Sequence, residues 1–181
     1  MTDTQQRHLD EMSKHIEVLL HASEAPLTAY VPKEQLSLNT NELARALEIL
    51  QQRLDSGVLT LHETASGYRL QIADSYSPLI QRVFAQRQER LSQALLETLS
   101  VIAYKQPVTR GDIEHVRGVT LSSNILRQLF DKGWIEEKGY KETLGRPALL
   151  HTTPQFLDAF GLTNLDELPA LPDMEAIKAL S

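Results

Sequence analysis

The chain has 181 residues, 18 Lys+Arg against 24 Asp+Glu for a formal net charge of −6, 41% hydrophobic residues and no cysteine. That length holds one domain or two small ones, and the lack of cysteine excludes disulfides and thiolate metal sites. The polar start, from Met1 to Gln6, and the absence of a long apolar run point to a cytoplasmic protein with no membrane span.

The charge is uneven. Residues 1–81 hold 6 Lys/Arg against 11 Asp/Glu, residues 82–146 hold 11 against 8, and residues 147–181 hold 1 against 5. Only the middle block attracts a polyanion, and only mildly.

The first predicted helix covers about residues 7–22, with Leu9, Met12, Ile16, Leu19 and Leu20 on one face. Ala25-Pro26-Leu27-Thr28 breaks it, and a short helix is expected at 32–36 with Pro32 in its first turn. Asn39 with Glu42 is a capping pair for a helix striped by Leu43, Leu47, Leu50 and Leu54. Ser56-Gly57 stops it, and residues 58–62 and 68–72 read as a hairpin turning at Ser66-Gly67. A linking helix is expected over 76–88, burying Tyr76, Leu79, Ile80, Val83 and Phe84 while Arg82, Arg87 and Arg90 face solvent.

The order then repeats. An apolar helix at 91–104 stops at Lys105-Gln106-Pro107. Thr109 with Asp112 opens a second helix that Gly118 closes, and a third is expected from about 120 to 131. Gly133 leads into Trp134-Ile135, a turn at Gly145-Arg146-Pro147, and a return strand at Ala148-Leu149-Leu150. Pro154 starts one more helix, closed by Gly161. Pro26-Leu27-Thr28 corresponds to Pro107-Val108-Thr109, and Ser56-Gly57-Val58 to Lys132-Gly133-Trp134. Helix–helix–helix–hairpin is the winged-helix order. The fold class is therefore mainly α with small β-hairpins (α+β), as two tandem winged-helix (helix-turn-helix) domains. A single mixed α+β domain is the weaker reading, because the punctuation recurs in order. The expected division is 1–78, a linker at 79–90, 91–162, and an acidic, Pro-containing tail at 163–181.

Local residues carry modest signals. Arg110-Gly111-Asp112 spells an integrin-recognition tripeptide, but it falls in a helix's first turn, where capping is the expected role. Arg146 is either presented on a stiff turn or is solvated turn chemistry. Trp134 is expected to anchor the core. The six His are dispersed and complete no metal site, and no phosphate loop or nucleophile elbow appears. Neither catalytic residues nor cofactors are nominated.

Winged helices often bind DNA through the third helix. Here the first unit's third helix sets Glu42, Glu48 and Asp55 against Arg45 and Arg53, and the second unit's offers only Arg127. Tight binding commonly takes on the order of 6–10 phosphate contacts. Charge therefore favours a protein–protein role over a winged-helix transcription regulator, the alternative reading, with DNA contact weak and non-specific at most.

The string from Arg90 to Leu99, with Ile102-Ala103-Tyr104-Lys105-Gln106-Pro107, Val116-Arg117-Gly118, Gly133-Trp134-Ile135, Gly145-Arg146-Pro147, Phe160-Gly161-Leu162 and Leu165-Asp166-Glu167-Leu168-Pro169, resembles the bacterial segregation and condensation protein B family. The first unit fits more loosely, and residues 30–39 depart from the family pattern. The resemblance implies a non-enzymatic, nucleoid-associated subunit that dimerises through its N-terminal domain. It also implies that the subunit binds a kleisin, segregation and condensation protein A, and through it an SMC ATPase. On that reading Leu96, Tyr104, Lys105, Arg110, Arg117, Arg127 and Arg146 are the expected partner-binding residues.

Overall fold

The structure, a computed structural model, describes residues 3–84 and 91–170. Helix α1 (Asp3–Ala22) starts before the expected residue 7, and α2 (Tyr30–Gln35) carries Pro32 buried in its first turn. Helix α3 (Thr40–Leu54) opens on the anticipated reciprocal cap. Asn39 Oδ1 accepts from the amides of Asn41 and Glu42, and Glu42 Oε2 accepts from the Asn39 amide at 2.9 Å. Those groups would otherwise be orphan donors. The leucine stripe of α3 is buried against Ile16 and Leu20 of α1.

Strands β1 (Leu59–Thr64) and β2 (Gly67–Ile72) pair antiparallel, from Leu59 opposite Ile72 to Thr64 opposite Gly67. Leu27 adds a third, one-residue strand. Its amide donates to Tyr68 O at 2.7 Å, and the Tyr68 amide donates back at 2.9 Å. Gly67 makes this approach possible: at φ +141° a Cβ would lie 2.3 Å from Leu27 O.

The second unit repeats the plan. Helix α5 (Gln93–Lys105) is capped by Ser92, and α6 (Arg110–Arg117) by the Thr109–Asp112 box. Helix α7 is Ser123–Asp131. Strands β3 (Ile135–Tyr140) and β4 (Ala148–Thr152) form the wing, with a register irregularity between Glu137 and Tyr140, and α8 is Pro154–Phe160. Val108 pairs with Leu150 just as Leu27 pairs with Tyr68. The two prolines matched in sequence thus precede equivalent strand residues. The fold is mainly α, with one small hairpin in each of two winged helices.

Two expectations need correction. Helix α7 begins later than residue 120, because Leu121 is drawn wholly into the core ahead of it. The Leu121 amide donates to Glu114 Oε1 at 2.9 Å, and its carbonyl accepts from the Arg110 guanidinium. The linking helix also differs. After a 3-10 turn (Asp74–Tyr76), helix α4 (Ser77–Phe84) leaves Tyr76, Leu79, Val83 and Phe84 exposed and only Ile80 half-buried. The reason is that α4 contacts chiefly its own preceding turn, so among the described residues no layer covers its apolar face. Arg82 is exposed as expected, while Arg87, Arg90 and the helix expected through 88 lie outside the described residues.

Each unit has its own hydrophobic core. The tip of the first hairpin meets the end of α8. The Ala65 amide donates to Leu162 O at 3.0 Å, and the Ser66 amide donates to Asp158 Oδ1 at 3.1 Å. Among the described residues, no helix is long and apolar enough to cross a membrane.

Candidate functional site

Helix α5 is apolar on more than one side. Leu95, Leu99 and Ile102 enter the core, whereas Leu96, 40% exposed, does not. Leu96, Leu99, Ala103 and Tyr104 form one wall of a cleft of about 180 Å³; Phe156 and Phe160 of α8 form another. The two phenyl rings lie 4.9 Å apart, and Trp134 meets Phe160 edge-on at 5.3 Å. Trp134 is thus half-buried and packed on the core, as expected. The third wall is Leu168-Pro169, where Tyr104 donates its hydroxyl to Pro169 O at 2.5 Å. A patch of aliphatic and aromatic carbon with a few polar groups at its rim can take an apolar anchor from another chain.

The structure brings together only some of the residues nominated from sequence. Leu96 and Tyr104 share this cleft, and exposed Lys105 ends the same helix. Arg110 is a brace between α6 and α7: it bonds Glu114 at 3.2 Å, Ser123 Oγ at 3.2 Å and Leu121 O. Arg117 has only 9% of its side chain exposed and ties α6 to α5 through Glu97 at 2.9 Å. Its hydrogen bond, with a second from Gln93, holds the Glu97 carboxyl below its ordinary range. Arg127 is 79% exposed on α7, paired with Asp131 at 3.6 Å.

Arg146 stands on the wing turn at φ +38°, next to the fully exposed Leu144. Its guanidinium lies 5.9 Å from the Tyr140 ring centroid and 3.5 Å from Glu142. Lys141 binds both oxygens of Asp112, at 2.9 and 3.2 Å. With the two Thr109 bonds, that contact pulls the Asp112 carboxyl down to about 2. Five cations of the α6–α7–wing side therefore each hold a carboxylate within 3.6 Å. Each of these carboxylates offsets a positive charge that would otherwise displace counterions from a nucleic acid.

Sequence reasoning missed Phe156, Phe160, Leu168 and Pro169 as parts of the cleft. The i,i+4 spacing of Phe156 and Phe160 was a usable signal. The return of Leu168 onto α5 had none. Among the described residues, no group of three or more His, Asp or Glu is placed to hold a metal ion.

Residues 14–171 match the family model described as "Segregation and condensation complex subunit ScpB". The chain is 42% identical over 163 residues to the segregation and condensation protein B homolog of Coxiella burnetii, covering 88% of this chain and 78% of that protein. It is 44% identical over 168 residues to segregation and condensation protein B of Streptococcus agalactiae, covering 90% and 86%. A crystal structure of ScpB from Mycobacterium tuberculosis is 30% identical, covers 86% of this chain and 98% of that one, and superposes with a TM-score of 0.40. With the family model spanning nearly all of both winged helices, the chain belongs to the segregation and condensation protein B family, subunits of the complex that segregates and condenses chromosomes.

Proposed function

We propose that this chain is a non-enzymatic, cytoplasmic and nucleoid-associated subunit that binds a kleisin, segregation and condensation protein A, and through it an SMC ATPase. Residues 1–78 serve homodimerisation, 79–90 link the units, 91–162 bind the kleisin and 163–181 form a tail. The observation that carries this reading is the exposed apolar cleft between α5 and α8, on a domain in which Arg110, Arg127, Lys141 and Arg146 are each paired with a carboxylate. A buried apolar anchor suits a helical or extended protein segment, and neutralised guanidinium groups do not suit a phosphate backbone. A stable complex of standard size would bury about 800 Å² on each side, so the cleft is the centre of a larger contact.

The test is co-purification with the kleisin of the same organism, with masses from light scattering. A complex containing two copies of this chain is expected, and Leu96→Asp should abolish it while leaving the melting temperature nearly unchanged. Failure of the wild-type chain to form any complex under gentle conditions would sink the proposal, as would nanomolar binding to a specific operator at physiological salt.

A further inference from the structure

The segment after α8 does more than leave the domain. From Thr163 it is internally braced: Glu167 accepts from both the amide and the hydroxyl of Thr163, and Asn164 Oδ1 accepts from the Asp166 amide at 2.8 Å. A 3-10 turn (Leu165–Glu167) results, closed by the Leu168 amide donating to Leu165 O at 3.1 Å. These bonds all lie within the segment and none of them involves α5. Leu168 packs on the second core and the Tyr104 hydroxyl donates to Pro169 O, which ties the segment to α5.

It lies where two hollows meet. One is the Leu96–Phe160 cleft; the other, of about 460 Å³, is bounded by Ala103, Tyr104, Gln106, Leu165 and Asp166. Leu168 and Pro169 wall both. Lifting the segment would join them into one groove along α5 from Leu96 to Gln106. At 1.5 Å per residue that is roughly 15 Å, the length of a ten-residue partner helix. The root of the segment is held from outside the domain, because Leu162 O accepts from the Ala65 amide of the first hairpin.

We propose that residues 163–170 form a displaceable strap that occupies part of the partner groove and is latched shut by Tyr104 and Leu168. The inference rests on the α5/α8 cleft being the kleisin site. A protein whose binding-competent form is a fraction of the total binds more weakly by that fraction. Weakening the latch therefore tightens binding, although it removes native contacts.

The experiment measures calorimetric affinity of the full-length kleisin for wild type, Tyr104→Phe, Leu168→Ser and Leu96→Asp, with hydrogen exchange of residues 163–170 in the free and bound states. Tyr104→Phe removes one hydrogen bond and no apolar surface, so it should tighten binding between about two- and tenfold. Strap amides should exchange faster in the complex than in the free protein. Unchanged or weaker binding by Tyr104→Phe, or slower strap exchange in the complex, overturns the strap. If Leu96→Asp still abolishes binding in that case, the cleft reading stands alone. Full binding by Leu96→Asp overturns the cleft reading and the strap together, as does absence of binding by wild type and both strap variants. Leu168→Ser serves only where its melting curve shows a folded chain; Tyr104→Phe decides otherwise.

Discussion

Gly67 and Asp112 show how much of each winged helix depends on single positions. A methyl group at Gly67 would collide with the Leu27 backbone and so break the third strand of the first sheet. Gly67→Ala should cost about 1–3 kcal/mol or more, read as a lower urea midpoint. Asp112 caps α6 and holds Lys141 of the wing, and its carboxyl titrates near 2 rather than 3.8. Because the folded value is depressed, the stability it adds is present above about pH 4 and is lost as pH falls toward 2. The melting-temperature gap between wild type and Asp112→Asn should therefore shrink between pH 5 and pH 2; a constant gap would refute the linkage. The role of Asp112 as a cap was legible in sequence, since Thr109 and Asp112 stand at capping-box spacing. Its bond to Lys141, 29 residues on, was not, because wing register has no local signature.

Helices α4 and α5 are both apolar and differ in what covers them. Ile102→Ala in α5 opens a cavity in a fully buried site and should cost about 2–5 kcal/mol. Leu79→Ser in α4 removes a side chain already half in water and should shift stability by about 0.5 kcal/mol. Denaturant titration of the isolated chain at low concentration separates the two. A large loss at Leu79 would mean that α4 is covered in solution. Sequence periodicity identified an apolar face on each helix but could not say which one had a neighbour. The same limit applies to the cations. Arg110 and Arg117 looked like surface charges, yet packing turned them into braces for α5, α6 and α7. The caps, stops and hairpin turns were legible because they depend on neighbours within a few residues.

At the scale of the whole molecule, the repeat of helix, helix, helix and hairpin was readable from punctuation alone, down to the paired positions of Leu27 and Val108. The contact between units was not readable, since it joins Ser66 to Asp158 across 92 residues. Asp158→Ala should leave each core folded while widening the distribution of inter-unit distances, measured by small-angle scattering or by spin labels on α1 and α7. An unchanged distribution would show that the remaining bond suffices. Of the four groups that make these two bonds, three belong to the main chain and only the Asp158 carboxylate to a side chain. Ala65 and Ser66 can therefore drift to almost any residue except proline, which has no amide hydrogen to give. For the engineer, that turn is a place to seat a fluorescent reporter beside the junction without disturbing the contact it reports.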